Sequence, residues 1–227
     1  MQTASPRRRV SSLPPLSPPA KRRSSRPAPS LCYAPCMSTA LDINAYLYSA
    51  LEALPDHEVG EIIAGELHVS PRPAARHAKA AFDLGLELGG PFQRGRGGPG
   101  GWRFLMEPEL HLADEVLVPD VAAWRIARMP EVPDTPAIEI APDWVCEILS
   151  PSNRRYDRTV KMSSYARHGV EHLWLVDPID RTLEVYRLAP DSGLWVLLST
   201  HIDDESVYAQ PFEAAPFELG LLWIHPH

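Results

Sequence analysis

Residues 144–178 read WVCEILSPSNRRYDRTVKMSSYARHGVEHLWLVDP, and this stretch decides the fold class. It opens with an apolar strand pattern over Trp144–Leu149 and continues with a helix predicted over about Arg155–His168. Gly169 follows as a typical C-terminal stop, and HLWLV, residues 172–176, returns to a strand pattern. Helices that interrupt a mostly β chain indicate an α/β or α+β class, with a mixed sheet flanked by helices.

The chain before this stretch supplies further helices and strands. A helix is predicted over Ile43–Leu54 with Asp42 as its N-cap, and a second helix from Pro73 to about Leu88. The run EVGEIIAGELHVS, residues 58–70, predicts a hairpin with its turn at Ala64-Gly65. Two further strand patterns cover Trp102–Leu112 and Val116–Ile126.

Charge is distributed unevenly along the chain. The formal net charge of the 227 residues is −7, yet residues 1–41 hold seven basic residues and no acidic one. Subtracting these seven from the 22 basic residues leaves 15 against 29 acidic ones, so the remainder stands near −14. An acidic body argues against strong non-specific affinity for nucleic acid, which depends largely on phosphate neutralisation. It does not exclude a local basic face.

The composition divides the chain into a tail and one domain. Residues 1–37 are rich in proline, serine and arginine and lack periodicity, which predicts a disordered basic tail. The sequence from Met37 resembles an ordinary bacterial start, so the preferred interpretation of the tail is a gene-model extension. A functional basic arm or a transit peptide is the alternative. Residues 38–227 then form one domain.

The sequence also predicts the compartment. No apolar run approaches the roughly 18 residues that a membrane span needs, so no membrane association is expected. Cys32 and Cys36 lack a second pair or a nearby histidine and make a poor zinc signal. Cys146 lies in an apolar strand pattern and is expected to be a small buried residue. A reduced, cytoplasmic location is the simplest interpretation.

Two carboxylates lie in apolar, strand-like runs: Asp120 in VLVPDVAAW and Glu147 in DWVCEILS. A buried charge is costly unless it is paired or bound to a metal. Pro119 marks a strand edge or a bulge, and a bulge can re-aim the side chain that follows. The residues leave two alternatives open, which are a buried salt bridge to an arginine and a Mg²⁺ ion shared by both carboxylates.

Lys161 follows these acids on the predicted helix. It is one of only three lysines among the 22 basic residues, so arginine is the usual cation of this chain. A lysine on that background suits a role as a compact charge that orients a nucleophile or stabilises a pentavalent phosphorus. The alternative is an i,i+4 pair with Asp157 on an exposed helix.

Three segments together carry a family resemblance: VLVPDVAAW, residues 144–178 and the upstream AGELHVSPRPAARH. They resemble the Uma-type restriction-endonuclease-like family, which is similar in fold to the PD-(D/E)xK nucleases. The resemblance runs from about Met37 to the C-terminus. It implies a restriction-endonuclease-like mixed sheet flanked by helices, and a Mg²⁺-dependent endonuclease acting on DNA, with Mn²⁺ as an alternative ion.

The resemblance also implies roles for particular residues. By position, Asp120 and Glu147 match the two motif acids that would bind the metal. The superfamily usually has a lysine two residues after the second acid, where this chain has Leu149. The resemblance implies that the catalytic lysine has moved to the following helix, as Lys161. Glu66 would add a metal ligand, and the alternative for it is an exposed strand acid.

Five further residues complete these expectations. His77 would complete the site or serve as a structural histidine. The arginines at 154, 155 and 158 would contact phosphates or form a solvated face. Asp177 before Pro178 is expected to fix a turn.

Other classes of function stay open beside the nuclease. One is a catalytically inactive nuclease-fold module that binds protein or nucleic acid, which the acidic body and Leu149 favour. Another is a structural protein in which the two acids only pair with arginines. A homodimer is a further expectation, because superfamily nucleases often cut both strands with two sites.

Overall fold

The computed structural model describes residues 39–224, with their side chains from Ile43 onwards. The predicted tail, residues 1–37, lies outside the described residues, as do Cys32 and Cys36. Within the described range, none of the helices combines the length and the apolar character that a membrane crossing demands.

The described residues form four α-helices and thirteen strands. The helices are α1 (Thr39–Glu52), α2 (Ala75–Leu88), α3 (Arg154–Tyr156) and α4 (Met162–Arg167). The strands are β1 (Glu58–Ile63), β2 (Glu66–Pro71), β3 (Trp102–Met106), β4 (Glu109–Leu112), β5 (Glu115–Leu117), β6 (Val121–Arg125), β7 (Ala137–Ile138), β8 (Trp144–Ile148), β9 (His172–Asp177), β10 (Thr182–Ala189), β11 (Leu194–Ile202), β12 (Ser206–Val207) and β13 (Phe217–Glu218). Wider π-helical turns cover Gly89–Gln93 and Asp157–Lys161, and a 3₁₀ turn covers Leu219–Leu222.

Most strands belong to two sheets. The central sheet has six strands in the order β11-β10-β9-β8-β6-β3, and the second has the order β2-β1-β5-β4-β7. In the central sheet β8 and β9 are parallel, because the helical segment between them carries the chain back across the sheet. The other neighbours in that sheet are antiparallel. A mixed sheet with helices confirms the predicted α+β class.

Strand β8 is apolar on both faces, as the sequence predicts. Cys146 and Ile148 pack in the core that includes α2, while Val145 and Leu149 pack in the core that includes α4. Successive side chains of a strand point to opposite faces. Glu147 therefore lies on the α4 side of the central sheet.

Both long strands predicted between residues 102 and 126 are divided between the two sheets. The first becomes β3 in the central sheet and β4 in the second, and the other becomes β5 in the second sheet and β6 in the central one. The second division falls at residues 118–120, where Pro119 lacks the N–H that a continuous ladder needs. We call residues 118–120 the seam, because the chain there leaves one sheet for the other.

The predicted hairpin turn is confirmed. Ala64 and Gly65 both have positive φ angles, of 53° and 76°, as a two-residue type I′ turn requires. Helix α1 differs from its prediction, since it begins at Thr39 and so places Asp42 within the helix. Tyr46 lies outside the apolar contact, with 72% of its surface exposed. Only a narrow side of helix α1, centred on Leu47, packs against the second sheet.

The helix predicted over about 155–168 is interrupted by a wide turn. The N–H of Met162 donates to the carbonyl of Asp157, five residues back, instead of four. The helix still ends where expected, because Gly169 has a φ of 71°. Asp157 and Lys161, the two ends of the wide turn, are both buried.

Glu115 connects the hairpin to α4. Its buried carboxylate accepts hydrogen bonds from the backbone N–H of Ala64 and from the side chains of Ser164, Arg167 and His168. Burial alone would raise the pKa of this carboxyl, but the hydrogen bonds lower it from its ordinary 4.5 to about 2. The ionised form therefore stabilises the fold.

Glu115→Gln is expected to lower the free energy of unfolding at neutral pH by about 1–3 kcal/mol, the usual effect of removing a charged hydrogen-bond partner. A depressed pKa gives stability that is fully present above the unfolded value of 4.5 and is lost as the pH falls through about 2. Denaturant unfolding of both proteins should therefore show a difference that shrinks below pH 4.5. A difference that stays constant down to acid pH would contradict this assignment.

Candidate active site at the seam

The structure brings Asp120 and Glu147 to the same cavity. Asp120 follows Pro119 at the seam, and its Oδ2 accepts the backbone N–H of Ile148 at 2.6 Å. Ile148 directly follows Glu147 in β8, and β8 pairs with β6. The hydrogen bond therefore fixes the first predicted acid beside the second.

Lys161 lies between buried acceptors. Its Nζ is 2.8 Å from Oε1 of Glu147 and 3.0 Å from Oε1 of Glu61, and only 5% of its side chain is exposed. It also donates to the carbonyl of Val118 at 3.0 Å. Burial lowers the pKa of Lys161, but the two carboxylates raise it further, to well above its ordinary value. The lysine is a buried cation, and the alternative of an exposed pair with Asp157 is wrong.

The position of the lysine agrees with the departure seen in the sequence. Leu149 occupies the usual lysine position and packs in the apolar core that includes α4. The ammonium of Lys161 reaches Glu147 from the helical segment instead. A lysine thus accompanies the second acid although it is distant in the chain.

The structure does not bring Glu66 to this cavity, which corrects its interpretation as a metal ligand. The Glu66 side chain is 78% exposed and lies 3.9 Å from His68. Glu61, on the other strand of the hairpin, lines the cavity instead, and its Oε1 accepts the N–H of Val118 at 2.8 Å. The sequence carries a signal for Glu61, because it immediately precedes the apolar pair Ile62-Ile63.

Tyr165 is a second donor to Glu147. Its hydroxyl makes a short hydrogen bond to Oε1, the same oxygen that Lys161 contacts. Tyr165 is fully buried in the core that includes α4. Burial raises the pKa of Glu147 well above its ordinary value, and Lys161 opposes this shift because a positive charge favours the ionised carboxylate.

His77 lies at the cavity, as the resemblance implies. Its Nε2 is 3.1 Å from Oδ2 of Asp120, and its buried Nδ1 has no partner among the described residues. Burial lowers the pKa of His77, but the hydrogen bond and charge of Asp120 leave it above the ordinary value. Asp120 is thus held by a backbone N–H and an imidazole together, and within the part of the chain that the structure describes neither acid pairs with an arginine.

Asp157 is a site residue that the sequence suggested only as a surface partner. It is 4% exposed and lines the cavity. Burial raises the pKa of this carboxyl from 3.8 to about 7; Lys161 opposes the shift, and Asp120 and Glu61 add to it. A carboxyl that titrates near neutral pH can exchange a proton under ordinary conditions.

The cavity has a volume of about 260 Å³ and carries an excess of acidic groups. Its carboxylates are Glu61, Glu107, Asp120, Glu147 and Asp157. Its basic side chains are Arg72, His77 and Lys161. A cleft with an excess of one charge favours counter-ions, here cations.

Two of the three arginines at the start of the helix, Arg154 and Arg158, are engaged in ion pairs. Arg154 contacts Asp177 at 2.5 Å, and Arg158 makes two hydrogen bonds to Glu184 at 2.7 and 2.9 Å. These pairs favour a structural role over the predicted contact with phosphates. Asp177 fixes a turn as predicted, since its Oδ1 accepts the N–H groups of residues 179 and 180.

The donor set of the cavity fits Mg²⁺. Among residues 43–224, no group of three His, Cys, Asp or Glu side chains is placed to hold a metal ion. Mg²⁺ usually needs fewer protein ligands, because one or two carboxylates complete its octahedron with water and substrate phosphates. Asp120 and Glu147 supply such a pair of hard oxygen ligands beside the cavity.

Comparison with known proteins identifies the fold and the family. The fold is similar to a crystal structure described as "a putative nuclease belonging to DUF820 from Anabaena variabilis", with a TM-score of 0.61 and 24% identity over 78% of this chain and 96% of that chain. No curated protein matches the sequence. Residues 46–220, most of the chain, match the Uma2 family, described as "Putative restriction endonuclease". The chain therefore belongs to the Uma2 family.

Proposed function

We propose that the protein is a Mg²⁺-dependent endonuclease that hydrolyses phosphodiester bonds of DNA in this cavity. One observation carries the proposal: Asp120, Glu147 and Lys161, from three separate segments, meet beside a single open cavity. The nuclease descriptions of the family and of the structural neighbour support it.

The residues divide the chemistry between them. Asp120 and Glu147 would hold Mg²⁺ or Mn²⁺, with Asp120 oriented by the N–H of Ile148 and by His77. Such an ion lowers the pKa of a bound water and neutralises charge on phosphoryl oxygens. Lys161 supplies a positive charge next to the second acid. Such a charge would stabilise the negative charge that develops on the phosphoryl oxygens.

One observation favours the inactive module as a second candidate. The ammonium of Lys161 contacts three acceptors of the protein itself, which are two carboxylates and the Val118 carbonyl. A lysine with this role alone would stabilise the seam without contacting phosphate. Homodimerisation and a cytoplasmic location also stay predictions from the sequence.

Cleavage of supercoiled, linear and single-stranded DNA is the decisive test. We expect nicking or cutting with Mg²⁺ or Mn²⁺ and none in chelator, and we expect Asp120→Ala to abolish it because a metal carboxylate is lost. Gel assays on the purified protein measure this directly.

Glu66→Ala is the matched control, because it removes an exposed acid outside the cavity. It should cut DNA at the wild-type rate. Cleavage that survives Asp120→Ala would reject the site. A wild-type protein that binds DNA without cutting under any of these conditions would favour the inactive module.

A further inference from the structure

The carboxylate of Glu147 is held through one of its two oxygens. Lys161 and Tyr165 lie four residues apart, on the same side of the helical segment, and both donate to Oε1. The other oxygen, Oε2, has no hydrogen-bond or ionic partner among the described residues. A carboxylate has about four acceptor positions, so Oε2 keeps its capacity to bind a cation or water.

The ring of Tyr165 lies in apolar surroundings, whereas its hydroxyl meets the carboxylate of Glu147. The ring belongs to the core that also includes Val145 and Leu173. The hydroxyl is the polar group that this ring brings to the site, and it donates to Oε1 of Glu147.

We propose that Tyr165 is a positioning residue, which holds Oε1 of Glu147 so that Oε2 is presented to a divalent cation in the cavity. This inference rests on the proposed function, since it assigns a purpose to the geometry of the same site. Lys161 cannot fix the carboxylate alone, because its ammonium is shared with Glu61 and Val118. The phenolic ring is rigid and buried, so the position of its hydroxyl oxygen beside Oε1 is fixed.

Tyr165→Phe tests this role with Mn²⁺ alone as the probe. Loss of a residue that orients a metal ligand typically costs 10–100-fold in metal affinity, so we expect the Kd for Mn²⁺ in calorimetry to rise by roughly that factor. Cleavage should fall at low Mn²⁺ and recover as Mn²⁺ is raised. Because a bound ion also stabilises the folded state, both proteins are compared at a temperature at which each is fully folded without Mn²⁺.

Tyr186→Phe is the matched control. The Tyr186 hydroxyl also donates to a carboxylate, Oε2 of Glu184, but that carboxylate pairs with Arg158 and lies outside the cavity. This variant should bind Mn²⁺ as the wild type does. Far-UV circular dichroism at low temperature ensures that the folded form of each variant is titrated.

The results separate this inference from the proposed function. A Tyr165→Phe variant that binds Mn²⁺ with wild-type affinity would overturn the positioning role, while metal-dependent cleavage by the wild type would still support the nuclease. A wild-type protein that takes up no Mn²⁺ would overturn both. Weaker binding in Tyr165→Phe alone, with rescue by added Mn²⁺, supports the positioning role.

Discussion

Lys161→Met is expected to lower the free energy of unfolding by about 3–5 kcal/mol in metal-free buffer, the usual cost of removing one partner of a buried ion pair. Methionine fills a similar volume but leaves Glu61 and Glu147 without their shared cation. Two uncompensated carboxylates would then remain in the interior, each poorly solvated. Denaturant unfolding at neutral pH measures the loss.

The stability of the Lys161→Met variant should depend on pH and on added metal ions. Without Lys161, the folded pKa of Glu147 must rise, so the destabilisation is present above the unfolded pKa and shrinks as the pH falls towards it. Added Mn²⁺ should also restore stability, because an ion that binds only the folded state raises its free energy of unfolding.

Lys79→Met provides the matched control for this experiment. Lys79 makes an i,i+4 pair with Asp83, but its side chain is 39% exposed. Exposed pairs contribute only about 0–1 kcal/mol, so this variant should unfold almost as the wild type does. A Lys161→Met variant that loses no more than Lys79→Met would show that the buried pairs contribute little.

Glu147→Gln is expected to reduce single-turnover cleavage by about 1000-fold at saturating Mg²⁺. Metal ions provide several kcal/mol of stabilisation to the transition state, and about 4 kcal/mol corresponds to three powers of ten in rate. Glutamine keeps the shape of the side chain and removes the charge that the ion requires. Quantitative gel assays on the folded variant give the rate.

The double variant Asp120→Asn/Glu147→Gln tests whether the two acids form one site. Residues that act as a unit show strongly non-additive losses. The double variant should therefore cut DNA about as slowly as the slower of the two single variants. Losses that multiply would mean that the acids act independently, and the shared metal would be rejected.

The sequence predicted the two acids because each interrupts an apolar strand, which is a local pattern. Pro119 likewise marked the point where a predicted strand is divided between two sheets. Glu61 carries a weaker signal of the same kind, but its place at the cavity could not be predicted, since its partner Val118 lies 57 residues away in the sequence. Glu66 was favoured by resemblance, yet it lies next to the hairpin turn, where side chains face solvent.

The roles of the residues in the helical segment also depend on partners that lie far away in the sequence. The sequence indicated the helix and its end at Gly169, but not the wide turn, which depends on how buried groups are satisfied by packing. Arg154 and Arg158 were expected to contact phosphates or to form a solvated face. Their partners, Asp177 and Glu184, could not be predicted because they follow much later in the chain. The function of the site residues stays a prediction until cleavage is measured.

The wide turn at Asp157–Lys161 determines how far the helical segment after it is rotated about the helix axis, relative to the segment before it. The half before it is anchored by the ion pair of Arg154, and the half after it carries Tyr165. Each residue of an α-helix advances by roughly 100° about the axis. Deletion of a single residue would therefore turn Lys161 and Tyr165 away from Glu147, or release the anchored half. Natural variation in this segment should consequently change its residues far more readily than its length.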